Sequence, residues 1–221
     1  MAFDVKAVMF DLDGTLIHTA PEIAFAINKM LAELELSQLP QQQIECYIGE
    51  GAQMLIRRCI SGHKQCEPDE ALFEQAQALF FAHYADNVTQ SQPYEGVIET
   101  LAALQDSGLK LACVTNKPEK FTMPLLDASG LLDFFEIVVS GDTLPKKKPD
   151  PIQLRYICAK FNVLEAQAML VGDSLTDVAA AHAAGCYIVT VPYGYNQGKP
   201  IDQSLVDDTI TSLSDLVHLL T

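Results

Sequence analysis

The sequence predicts an α/β protein: a doubly wound parallel-sheet core built from both ends of the chain, with an inserted α-helical domain. Three observations predict it. After residue 108, short apolar runs rich in β-branched residues alternate with helical segments, the pattern of strand-helix-strand units whose sheet is covered on both faces. A similar run, KAVMF, stands alone at residues 6–10. Between them, from Thr19 to about Val88, apolar residues repeat at helical spacing and no convincing strand interrupts.

The elements follow in order. KAVMF is the first strand and runs into VMFDLDGTLI, where two aspartates stand one residue apart. By itself Asp13-Gly14 reads as the type I′ turn of a hairpin. Thr19, Pro21 and Glu22 then fit a capped helix start with a capping box. Ile23, Ile27, Met30, Leu31 and Leu34 make one helical stripe; Leu72, Phe73, Ala76, Leu79, Phe80, His83 and Tyr84 make another. In IGEGAQMLIRRCI a Gly49/Gly51 break opens a further short helix. The later strands are LKLACVT, FEIVVS, AMLVGD and YIVTV, with helices near 96–107, 118–129, 151–161 and 176–184. The expected domains are a core of residues 1–17 and 91–221 and a helical block of 18–90; no internal repeat or low-complexity segment occurs.

Composition narrows the function. A chain of 221 residues that is 49% hydrophobic can fill a real core. Its 14 Lys and Arg stand against 29 Asp and Glu, a formal charge of −15 that repels nucleic acid and anionic membrane surfaces. The amino terminus lacks the basic start and apolar run of a signal peptide, and no 18-residue apolar stretch is present, so a cytoplasmic protein is expected, monomer or homodimer. The six cysteines include no C-x-x-C pair and read as reduced thiols; Cys59, His63 and Cys66 match no zinc spacing.

In open α/β sheets, ligands bind beyond the carboxyl ends of the strands. Four of the five predicted strands lead there into polar residues: Asp11 and Asp13; Thr115, Asn116 and Lys117; Lys148; and Gly172-Asp173-Ser174 with Asp177. Each motif alone is an ordinary turn or cap. Their arrival at one sheet edge points to a site. Residues i and i+2 of an extended chain share a side, so Asp11 and Asp13 face one place while Leu12 packs away from it. With Asp173 they form an all-oxygen cluster that repels itself unless a cation joins it, and such a set suits Mg²⁺. No Ser-His pairing or G-x-S-x-G elbow exists, whereas a carboxylate can attack phosphorus directly. Asp11 is the candidate nucleophile and Asp13 the general acid and then base. Thr115 and the amides around Asn116 are placed to hold phosphoryl oxygens, and Lys148 to balance charge.

These residues resemble the haloacid dehalogenase superfamily of phosphohydrolases: DLDGT its first motif, Thr115 its second, the Lys of KKPDP (Lys148) its third and GDSLTD its acidic fourth. The resemblance implies a Rossmann-like core with a helical cap inserted after the first motif. It implies that Asp11 is phosphorylated and that Asp11, Asp13 through its backbone carbonyl, and Asp173 ligate Mg²⁺, with Asp177 orienting the site. Asp13 argues for phosphate rather than halide chemistry, and neither Lys29 nor Lys64 has a context for a phosphonatase Schiff base. VTNKP, GDTLPKKKPDP, VGDSLTDVAAAHAAGC and YGYNQGKPID are similar to the bacterial phosphoglycolate phosphatases, with His18 and Glu95 as departures. That implies a small phosphorylated metabolite as substrate, 2-phosphoglycolate first. Alternatives are another small or sugar phosphate such as N-acetylmuramic acid 6-phosphate, a sugar phosphomutase, or a non-catalytic phosphate binder. For a substrate carboxylate, Arg57, Arg58 or an amide of the Gly49–Gly51 break are the candidates in the helical block, with a solvent-facing helix edge an equal reading for each arginine.

Overall fold

The computed structural model describes residues 3–62 and 68–220; His63, Lys64 and Cys66 lie outside them. Among the described residues one sheet has six strands: β1 (Ala7–Phe10), β4 (Lys110–Val114), β5 (Ile137–Val139), β6 (Ala168–Gly172), β7 (Tyr187–Thr190) and β8 (Asp208–Thr209). Their order is β5-β4-β1-β6-β7-β8 and every neighbouring pair is parallel. The chain runs outward from β1 through β4 to β5, then crosses to the other side of β1 for β6, β7 and β8. The order reverses at β1, so the ligand-binding crevice of this topology lies beyond Phe10.

All four β1 residues are fully buried, as a strand covered on both faces must be. Val8 and Phe10 pack into one core layer and Ala7 and Met9 into the other, following the alternation of side chains along a strand. Helices α5 (Val97–Asp106) and α6 (Glu119–Ala128) contribute to the first layer; α7 (Ile152–Phe161) and α8 (Leu175–Ala184) to the second. Residue 10 pairs with Cys113 and Val171 on its two sides, which brings the ends of β1, β4 and β6 level.

The helical insert contains α1 (Ala20–Glu33), α2 (Gln41–Glu45), α3 (Ala52–Ser61) and α4 (Glu70–Ala85). It is flanked by β2 (Ile17–His18) and β3 (Gln92–Pro93), an antiparallel pair that closes its base. The predicted stripes meet: Ile23, Ile27, Met30 and Leu31 of α1 and Phe73, Ala76, Phe80 and Tyr84 of α4 are buried, while Leu34, Leu72, Leu79 and His83 are partly so. Among the described residues no helix is long and apolar enough to cross a membrane. Cys46, Cys59, Cys113, Cys158 and Cys186 are free thiols.

Three local expectations are corrected. Asp13 does not adopt the positive φ that a type I′ turn needs at both central residues; only Gly14 does, at +87°, and the Leu12 carbonyl accepts from Thr15, Leu16 and Ile17 in a longer turn. The capping box at Thr19 does not form. Its hydroxyl is buried without a partner, Glu22 accepts from Ser91 Oγ instead at 2.7 Å, and the Tyr195 hydroxyl accepts from the N–H groups of Thr19 and Ala20 at 2.9 Å. The sheet also has a sixth strand, β8, whose two polar residues carry no strand pattern.

Candidate active site

At the end of β1 the chain stays extended long enough for Leu12 to be buried in the apolar core while Asp11 and Asp13 line one cavity between core and insert. Thr115 and Asn116, just past β4, line the same cavity. Thr115 Oγ1 accepts from the Lys117 N–H at 3.1 Å. Asn116 Nδ2 donates to the Lys148 carbonyl at 2.9 Å and to the Gly49 carbonyl of the insert at 3.1 Å. The Gly49–Gly51 break therefore does reach the cavity.

Lys148 is 2% exposed, and its ammonium lies 2.8 Å from Asp11 Oδ1 and 2.6 Å from Asp177 Oδ1, with a third bond of 2.8 Å to the Val114 carbonyl. Burial opposes its charge, but the two carboxylates outweigh that and hold Lys148 above the ordinary ammonium range. Its backbone is fixed by Gln153, a fully buried amide that accepts from the Lys148 N–H and donates to the Ser140 carbonyl. Asp177 has its other oxygen taken by the Ser174 N–H and hydroxyl.

Asp173, at the end of β6, is held by the Tyr195 N–H at 2.6 Å and the Thr15 hydroxyl at 3.3 Å. Two glycines leave it room. A Cβ on Gly14 would come within 2.6 Å of its carboxylate, and one on Gly194 would overlap it. One carboxylate oxygen from each of Asp11, Asp173 and Asp177 falls within 4.8 Å of the others, all three residues buried. Lys148 is the cation that touches this group, so negative charge is in excess. Burial pushes Asp11 up to about 7 against the pull of Lys148, and raises Asp173 well above the usual carboxylate range, with Asp11 and Asp177 adding to it. A buried, all-oxygen set with surplus negative charge is the donor chemistry of a hard divalent cation, so these residues fit one.

Asp13 has a different surrounding. Lys117 Nζ donates to it at 2.9 Å and to the Tyr84 hydroxyl of α4 at 2.6 Å. Burial works against the Lys117 charge, and Asp13 and Tyr84 more than compensate, holding it above the ordinary range. Tyr84 is itself wedged between Phe80, stacked at 5.4 Å, and Phe121 of the core, edge-on at 5.0 Å. Lys117, Tyr84, Gln153, Ser174, Gly194 and Tyr195 were not assigned roles from sequence. Lys117 and Ser174 stand in strand-end motifs, Gly194 and Tyr195 in YGYNQGKPID and Tyr84 in a helical stripe, but the contacts that bring them to the site come from the tertiary fold.

Other candidates lie apart from the cavity. Arg57 pairs with Glu70 at 3.1 Å and lies over the Phe73 ring, and Arg58 pairs with Glu50 at 2.6 Å. Neither lines it. His18 is exposed, with Nδ1 at 3.2 Å from the hydroxyls of Tyr94 and Tyr195 beside the first turn of α1.

Residues 8–191 match the family described as haloacid dehalogenase-like hydrolase. The chain belongs to that family. It is 47% identical to the phosphoglycolate phosphatase of Thiobacillus denitrificans over 98% of this chain and 96% of the relative. With the phosphoglycolate phosphatase of Nitrosospira multiformis it shares 48% identity over the same fractions. A crystal structure of a predicted phosphoglycolate phosphatase from Haemophilus somnus superposes with a TM-score of 0.92 at 37% identity, covering 98% of each chain. CbbY of Rhodobacter sphaeroides, solved with phosphate, shares the fold at a TM-score of 0.80 and 22% identity, covering 96% of each chain. This haloacid dehalogenase-like protein is accordingly an enzyme, a phosphoric monoester hydrolase similar to the phosphoglycolate phosphatases, acting on a small phosphorylated substrate.

Proposed function

We propose that this hydrolase converts 2-phosphoglycolate to glycolate and phosphate through a phosphorylated Asp11, with Mg²⁺ as its metal. The observation that carries the reading is the pair of carboxylates two residues apart, one against Lys148 and the acidic cluster, the other facing the cavity beside Lys117. A Asp11 carboxylate oxygen attacks phosphorus while the ester P–O bond breaks, and Asp13 gives its proton to the departing glycolate oxygen. Water then attacks the same phosphorus, Asp13 takes its proton back, and the bond from phosphorus to Asp11 breaks to release phosphate. The Thr115 hydroxyl and the Asn116 N–H hold the phosphoryl oxygens, and Lys148 offsets the negative charge that gathers on Asp11 and phosphate.

Asp11, Asp173 and the Asp13 backbone carbonyl would hold the metal; when bound, Mg²⁺ neutralises phosphoryl and carboxylate charge. Asp177, with both oxygens engaged, keeps Lys148 in place. The insert acts as a cap that excludes water. Phosphate release across a panel of esters, with and without Mg²⁺, tests the proposal: 2-phosphoglycolate should be hydrolysed fastest, and only with the metal. Equal slow rates on every ester would refute it.

A further inference from the structure

A phosphatase for 2-phosphoglycolate must tell a carboxylate from its absence, and the arginines suspected from sequence do not line the cavity. Among the described residues lining it, Lys117 is the one cationic side chain. It is 5% exposed, so its charge is little screened by water. A lysine ammonium has three N–H donors. Asp13 takes one and Tyr84 a second, and among the described residues no protein acceptor takes the third. The rest of the surround is largely apolar, with Ile23, Leu55 and Phe80 among its walls.

The chemistry of the substrate fixes where its carboxylate must lie. Asp13 has to reach the ester oxygen to protonate it, and in phosphoglycolate one methylene separates that oxygen from the carboxyl carbon. A cation 2.9 Å from Asp13 Oδ1 is therefore within reach of the carboxylate of any ester that Asp13 serves. Once Asp13 has given up its proton, the same cation offsets the repulsion between that carboxylate and Asp13, which burial would otherwise make severe.

We propose that Lys117, held by Tyr84 of the helical insert, is the specificity-determining residue that reads a carboxylate on the carbon next to the ester oxygen, so that the substrate class is phosphate esters of small 2-hydroxy acids. The assignment rests on the phosphoglycolate reading and deepens it. Because Tyr84 belongs to the insert and Asp13 to the core, the carboxylate subsite is complete only where the two meet.

The test is a ratio, since Lys117 also touches Asp13 and its loss slows every substrate. With saturating Mg²⁺, kcat/KM is measured for 2-phosphoglycolate and for ethyl phosphate, which lacks the carboxylate, on the parent enzyme and on Lys117→Met and Lys117→Gln. The parent ratio should be at least ~100, and both variants should cut that ratio by at least ~30-fold beyond any common loss. Tyr84→Phe removes a single oxygen and should cut the ratio by ~3- to 10-fold; it decides the matter if the lysine variants do not fold. A high parent ratio that survives in Lys117→Met, in Lys117→Gln or in Tyr84→Phe would overturn the Lys117 assignment and leave the phosphoglycolate reading standing. A parent ratio near one would overturn both.

Discussion

Asp11 and Asp13 are neighbours in sequence, and each has a buried lysine, yet the two ion pairs are made differently. Lys148 is held wholly by the core: Asp11, Asp177 and the Val114 carbonyl take its three N–H groups. Lys117 spans the two parts of the fold, with Asp13 on one side and Tyr84 of α4 on the other. The first pair is crowded by further acid and calls for a cation; the second is not. A nucleophile needs a fixed, charge-balanced setting throughout both steps. An acid and base that serves a departing alcohol is better finished by the element that closes over that alcohol. In the proposed mechanism this difference puts the phosphoryl group on the core and the leaving group at the seam with the insert.

Substitutions can break this contrast. The largest effect is expected for Asp11→Asn, which should lower kcat by ~10⁴-fold or more on every ester, activated or not, while the melting profile persists. Asp13→Asn should cost ~10²- to 10⁴-fold on 2-phosphoglycolate and far less in the first step with p-nitrophenyl phosphate, whose leaving group needs no proton. Equal losses on both esters would erase the distinction between the two aspartates. Lys148→Met should lower stability by about 3–5 kcal/mol in denaturant unfolding, because Asp11 and Asp177 lose a fully buried partner.

Smaller effects sharpen the contrast. Gly194→Ala should push Asp173 aside and weaken the apparent Mg²⁺ affinity by ~10- to 100-fold in a metal titration of activity, with excess metal restoring most of the rate. A loss that no metal concentration restores would show Gly194 serving something other than Asp173. Arg57→Ala, at a partly exposed pair with Glu70, should change stability by no more than about 1 kcal/mol and leave kcat/KM for 2-phosphoglycolate unaltered. A selective rise in KM there would return the carboxylate to the arginine and away from Lys117.

The sequence was legible where periodicity or a strand end carried the signal. The five longer strands and the helices following them lie within about two residues of their predicted positions, because a strand buried on both faces leaves an apolar run that few other structures produce. The sequence points to Asp11, Asp13, Thr115, Asn116, Lys148 and Asp173 because each ends or follows a strand of one parallel sheet, and the fold brings them to that edge; their roles belong to the proposed function. β8 was missed because two polar residues have no period, and the Thr19 capping box failed because Tyr195, far along the chain, supplied the oxygen first. Tyr84 fitted a helical core stripe and is indeed buried; only the docking of α4 on the core turns its hydroxyl toward Lys117. Local pattern places side chains on faces, whereas partners across the fold come from packing.

The most direct test of the central claim uses Asp13→Asn with p-nitrophenyl phosphate and Mg²⁺. The activated ester dispenses with the acid in the first step, while the second step still lacks its base, so the phosphorylated enzyme should accumulate. A burst of p-nitrophenol equal to the enzyme concentration, with one phosphoryl group mapped to Asp11 in the acid-quenched protein, is the predicted result. No burst, or a phosphoryl group on any other residue, would contradict the account.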